Sequence, residues 1–234
     1  MTDPARPDPV PSGREVVERI RTPTGEWQLQ RRGEHYEIIA NGTFLMATYN
    51  RASDVALATV ALGRVHGTAL RVLIGGLGIG YTVRAVLDDP RVVRCDVVEV
   101  EPLILAWYQQ YTASHSGRPL DDPRVQLTLG DLGRVALAGR AYDAILLDTD
   151  NGPDWLALAG NARLYDAAGI ARFLGLLRRD GVVAYWSASA SPGFAQRLHA
   201  LAEVEELPVP DEIAPGREGT AWIYLVRASR RSGS

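Results

Sequence analysis

The stretch VLIGGLGIGYT, Val72 to Thr82, decides how this chain is read. Branched apolar residues run straight into Gly76, Gly78 and Gly80, and a short apolar run closed by a turn signal fits a buried strand. Three glycines remove Cβ atoms at the strand end, so backbone amides and the start of the next helix can face an anionic or nucleoside-like group. Tyr81 stands at that helix start. A turn that only packs helix against strand would use the same glycines, so the meaning of the stretch depends on what the rest of the chain brings to it.

Working outward, strands and helices alternate on the C-terminal side. RCDVVEVE, RVQLTLGD, YDAILLDTD and VVAYWSAS have the apolar content of buried strands, while GYTVRAVLDD, PLILAWYQQYT, GFAQRLHALA and the end of NARLYDAAGIARFLGLLRRDG have helical spacing. LGRVAL, 132–137, reads as a short helix, and VEELPVP with TAWIYLVRAS as an antiparallel pair around the polar loop DEIAPGREG. This alternation predicts an α/β fold: a Rossmann-like, mainly parallel sheet with an antiparallel last strand, covered on both faces. Before it, REVVERIRT, EWQLQRRG, HYEIIANG and TFLMATYN are short β-type runs, with Asn41-Gly42 as a hairpin signal. The expected organisation is a disordered, proline-rich tail over 1–13, a small antiparallel β unit over 14–50 and a nucleoside-binding domain over 51–234, opening with a helix in NRASDVALATVALGRVHG.

Composition narrows the function. The chain has 234 residues and a net charge of −3, and its 25 basic residues are all arginine, scattered among acids rather than gathered into a stripe, so nucleic acid is not an expected partner. Without lysine there is no Schiff-base chemistry, and the single Cys95 excludes an internal disulfide or a multi-thiolate metal site. His35, His66, His115 and His199 have no ligand spacing, so no metal is expected. The absence of a long apolar span or leader-like segment predicts a cytoplasmic protein without a membrane partner.

Acids then recur where such sheets bind ligands, at the carboxyl ends of strands. Glu99 follows Gly80 by 19 residues and closes CDVVEVE, where a carboxylate can accept from both hydroxyls of a ribose. Asp131 ends LTLGD, with Leu132 beside it, and Asp148 and Asp150 end ILLDTD. Their convergence on one cleft is the expectation. Two carboxylates as close as Asp148 and Asp150 would raise one pKa, suiting it to act as a base near neutral pH.

The order GGLGIG (75–80), DPRV (89–92), EVE (99–101), DDPRV (121–125), GD (130–131) and DTDNGP (148–153) resembles the spermidine synthase branch of the class I S-adenosylmethionine-dependent methyltransferase superfamily, over roughly residues 14–190. The resemblance implies that Glu99 holds ribose hydroxyls and Asp131 the adenine amino group. It also implies that the backbone around Gly76, Gly78 and Gly80 faces the methionine-derived chain, and that Asp148, with Asp150 near it, activates a nucleophile. Departures fall on the acceptor side. Asp54-Val55-Ala56 stands where the family has a Tyr-His/Gln-Glu sequence, the glutamine expected after the hairpin turn is missing from TFLMATY (43–49), and Gly78 stands where the family's turn has an aspartate. Losing that aspartate favours a donor that keeps its carboxylate. Trp155, in the short loop DTDNGPDW, is a candidate for stacking on the donor, with Trp186 a second. The expectation is therefore an enzyme using an S-adenosyl donor, foremost methyl transfer from S-adenosylmethionine to a small amine or hydroxyl. Aminopropyl transfer from the decarboxylated donor, or silent nucleoside binding, stand as alternatives. A homo-oligomer, a dimer formed through the apolar FLMA strand, is also expected.

Overall fold

The computed structural model describes residues 13–135 and 141–227. The predicted tail falls, but for Gly13, outside the described residues. Four strands, β1 (Glu15–Thr22), β2 (Gly25–Arg32), β3 (His35–Ala40) and β4 (Thr43–Ala47), form an antiparallel sheet in the order β1-β2-β3-β4. After α1 (Ala52–Gly63) the chain enters a second sheet of seven strands. These are β5 (Leu70–Gly75), β6 (Val92–Glu99), β7 (Val125–Leu129), β8 (Tyr142–Leu147), β9 (Leu177–Ser187), β10 (Glu203–Ala214) and β11 (Arg217–Arg227), in the order β10-β11-β9-β8-β5-β6-β7. The β5-β6, β5-β8, β6-β7 and β8-β9 pairs are parallel, whereas β11 lies antiparallel to both β9 and β10. The predicted α/β sheet with a reversed last strand is the observed one.

The central strands are apolar throughout because both faces are covered. On β5, Val72 and Ile74 join a core shared with α1, α2 (Tyr81–Leu87) and the N-terminal sheet, while Leu73 points into a second core built with α4 (Ala167–Gly175) and α5 (Pro192–His199). In that second core Phe194 makes edge-to-face contacts with Tyr165, Tyr185 and Tyr224 at centroid separations of 5.6, 5.1 and 5.4 Å. Strand order is fixed at the bottom of the sheet by Asp143, whose carboxylate accepts from the Arg71 amide at 2.7 Å and pairs with Arg178 at 3.0 Å.

Several elements differ from their sequence reading. Residues 132–135 form a turn where a helix was expected over 132–137, because the Asp131 side chain accepts from the Gly133 amide at 2.9 Å and closes the backbone locally; 136–140 lie outside the described residues. The helix read in PLILAWYQQYT is α3 (Pro102–Trp107) followed by a wider π turn over Tyr108–Thr112. LRRDG belongs to the start of β9 rather than to the preceding helix, with Asp180 at φ +63°. Most of the polar segment DEIAPGREG is strand, since a turn at Gly216 (φ +72°) lets β10 and β11 pair almost to their tips. Polar residues are tolerated there because β10 is an edge strand.

The FLMA strand was expected to need a second copy to cover it. Leu45 and Met46 pack on the main core and Ala47 is buried within the single chain, so most of this apolar surface is already covered. Leu73 is fully buried. Leu73→Ala is expected to lower the unfolding free energy by about 3 kcal/mol in urea denaturation, from lost transfer energy and the cavity left behind.

Candidate active site

The glycine turn lies at the carboxyl end of β5, with each glycine in a left-handed conformation: Gly76 at φ +93°, Gly78 at +52° and Gly80 at +91°. Gly76 cannot be anything larger, because a Cβ there would overlap the Asp148 carbonyl oxygen. A Cβ on Gly78 would come within 3.2 Å of the Met46 sulfur, so β4 lies directly over the turn. The turn is tied down by amides: Gly76 N–H donates to the Val98 carbonyl and Gly80 N–H to the Leu77 carbonyl, both at 2.9 Å.

Glu99 supports this turn from the next strand. One carboxylate oxygen accepts from the Leu77 amide at 2.9 Å and the other from the Glu101 amide at 2.8 Å. Burial raises its pKa, and these amide hydrogen bonds pull it back. Each oxygen keeps further acceptor capacity.

Two adjoining chambers open over the turn and share Leu45, Met46, Gly78, Asp148 and Thr149. The first is mainly apolar, walled by residues including Trp27, Val100, Ile104 and Leu132, with Glu99 and Gly130 as polar points. The second is lined by Asp54, Asp148, Asp150, Asn50, Tyr81 and Trp186, among others. Among the described residues no arginine lines either chamber, and the chain has no lysine. The second chamber therefore gathers negative charge without a basic residue in its wall.

Electrostatics follow from this. Burial raises the Asp148 carboxyl to about 6, aided by the charge of Asp211 and opposed by the Thr82 hydroxyl, which donates to it at 2.7 Å. Asp54 is pushed well above the usual carboxylate range by burial, then by Asp148 and Asp211. Asp211 itself sits behind them on β10, accepting from Ser53 Oγ at 3.0 Å and Asn50 Nδ2 at 3.1 Å. Asp54 and Asp211 were not among the sequence candidates. An acid in the first turn of a helix is an ordinary N-terminal preference, which hides Asp54, and Asp211 lies in a segment that reads as loop.

The other candidates take distinct positions. Asp150 is raised to about 6 by burial, yet its oxygens accept from the Ala157 amide at 2.9 Å and from Asn161 at 2.7 Å, so it organises the loop after β8. Leu132 lines the first chamber, whereas the Asp131 carboxylate pairs with Arg163 and caps the turn at Gly133. Tyr81 lines the second chamber while donating to the Thr48 carbonyl at 2.6 Å. Trp155 is 59% exposed and lines neither chamber, because its loop points the indole outward. Trp186, by contrast, is in the wall.

A sheet in this strand order, with a glycine turn after its first central strand and an acid after its second, defines the class I S-adenosylmethionine-dependent methyltransferase fold. The spermine/spermidine synthase domain matches residues 55–196, more than half of the chain, and the protein belongs to that family. Polyamine aminopropyltransferase 1 of Pseudomonas aeruginosa is 35% identical over 85 residues, 36% of this chain and 30% of that protein. Putrescine N-methyltransferase 2 of Nicotiana tabacum is 34% identical over 83 residues, 35% of this chain and 23% of that protein. The matched stretches thus span about a quarter to a third of these relatives' own lengths. A spermidine synthase crystallised with the transition-state analogue AdoDATO superposes with a TM-score of 0.75 at 17% identity, over 91% of this chain and 74% of that one.

Asp148 and Asp54 repel each other in the folded state only. With its native pKa raised above the ordinary 3.8, Asp148 binds its proton more tightly folded than unfolded, so its contribution to stability falls as pH rises from about 4 to above 6. Asp148→Asn, which keeps an acceptor for Thr82, is expected to raise Tm by several degrees at pH 8 and by much less at pH 4, as read by calorimetry. Gly76→Ala is expected to lower Tm in the same measurement, because the added methyl pushes the turn off Asp148.

Proposed function

We propose that the protein transfers the aminopropyl group of decarboxylated S-adenosylmethionine to a small primary amine. The observation that carries this reading is the second chamber: Asp54 and Asp148 line it, Asp211 backs them, and among the described residues no basic side chain lies in the wall. A cationic amine neutralises such a group, whereas a donor carboxylate placed beside it would add a further like charge at short range. That is why methyl transfer from the intact donor, favoured by Gly78 alone, gives way. Removing one acid from the turn leaves three aspartates in the adjoining wall. The aminopropyltransferase relatives support the same choice. No metal takes part in this proposal.

In the proposed reaction the adenosine moiety lies in the first chamber, with Glu99 accepting from ribose hydroxyls and Leu132, Val100 and Ile104 against the base. The sulfonium then falls over Gly78, between the chambers. The amine nitrogen attacks the aminopropyl carbon bonded to sulfur, that carbon–sulfur bond breaks with its electron pair going to sulfur, and methylthioadenosine leaves. Asp148 takes the proton that the amine must lose, a task suited to a carboxyl raised to about 6. Asp54 compensates the charge of the incoming ammonium.

Incubation with decarboxylated S-adenosylmethionine and a set of short diamines is expected to yield methylthioadenosine, detected by mass spectrometry. The rate should climb with pH through about 6 as Asp148 ionises. Asp148→Asn should lower kcat on the order of 100-fold or more. S-adenosylhomocysteine formed from intact S-adenosylmethionine would instead establish methyl transfer, and binding without product would establish a nucleoside-binding protein.

A further inference from the structure

The turn between β1 and β2 reaches across the molecule to a residue next to the nucleoside chamber. Thr22 Oγ1 donates to a carboxylate oxygen of Glu101 at 2.8 Å, and Thr24 Oγ1 donates to the same oxygen. Thr24 in turn accepts from the Trp27 indole N–H at 2.9 Å, and Trp27, 2% exposed, is a wall of the first chamber. The other Glu101 oxygen accepts from the Leu103 amide at 3.1 Å, capping α3. The Glu101 backbone amide is the one that donates to Glu99 at 2.8 Å. A continuous chain of hydrogen bonds thus runs from Trp27 through Thr24 and Glu101 to Glu99.

Two buried carboxylates two residues apart oppose each other, and the charge of Glu101 is among the causes that raise the Glu99 pKa. The arrangement persists because Glu101, itself 3% exposed, has its charge met by two hydroxyls and an amide on the side away from Glu99. Without the hydroxyls one oxygen of a buried carboxylate has no donor, and the side chain must turn toward water. That movement takes with it the backbone amide that holds Glu99.

We propose that Thr22 and Thr24 are positioning residues for the nucleoside site, acting through Glu101 to fix Glu99 and through Trp27 to fix the chamber wall. The proposal rests on the reading that Glu99 meets a ribose. On this account the turn between β1 and β2 sets donor affinity without itself lining either chamber.

The test is calorimetric titration of the full chain with methylthioadenosine. The Thr22→Val/Thr24→Val variant, which keeps side-chain shape and loses both hydroxyls, is expected to bind about tenfold to a hundredfold more weakly. Its KM for the donor should rise in step, with kcat at saturating donor little changed. Amide hydrogen exchange at Leu77 and Glu101 should accelerate, and Thr22→Ser/Thr24→Ser should restore the parent values. Parent-like affinity in the folded valine variant overturns the proposal, as does a loss that the serine variant shares. Should the double variant fail to fold, Thr24→Ala decides by the same criterion. A parent protein that does not bind methylthioadenosine sinks the functional reading itself, whereas a binding parent with an unaffected variant sinks only the clamp.

Discussion

The packing of Gly76 against the backbone of Asp148 is the constraint on which the site depends. β5 and β8 are neighbours in the sheet, and Gly75 pairs in register with Leu147, so the chain leaving each strand would collide if the first carried a side chain. Because Gly76 has none, the glycine turn folds back over the end of β8 and brings Asp148 to the boundary between the two chambers. The same close approach gives the Leu77 amide to Glu99. One missing methyl group therefore sets the relation between the apolar chamber, Glu99 and the acidic chamber next door.

The second theme is unbalanced charge. Several ion pairs among the described residues are ordinary surface pairs, such as Arg84–Asp88 at 2.6 Å, whose partners are well exposed and whose worth is small. Among the described residues no arginine lines the cleft, and burial, then the neighbouring carboxylates, raises the proton affinity of Asp54 and Asp148. A folded protein tolerates such a group at a cost to its own stability, and the cost is recovered when a cation arrives. The stability of the fold and the cleft's affinity for positive charge are thus two sides of one arrangement.

The sequence made the sheet and the glycine-turn side of the cleft legible because each rests on local signals. The apolar run of Val72 to Gly75, the three glycines, and the acid at the end of CDVVEVE all lie within short stretches whose physics is self-contained. The acidic side was harder to read because its members are far apart: Asp54 from α1, Asp148 from the end of β8 and Asp211 from β10 meet only in three dimensions. Asp54 was noticed only as a departure from the family, and the charge lost at Gly78 was weighed without the charges gained elsewhere. Trp155 and Trp186 were equivalent as letters, and only burial separates them, one at 59% and the other at 8% exposure. The short helix expected over LGRVAL failed for a similar reason, since an aspartate that can close a turn through its side chain competes with a helical pattern six residues long.

The long β10–β11 hairpin divides labour within the fold. Its edge strand carries Asp211 to the acidic chamber from the opposite end of the sheet to β6 and β7, which serve the apolar one. Substitution of Asp211 on this C-terminal ribbon can therefore change the charge behind the acidic chamber while the walls of the apolar chamber stay as they are.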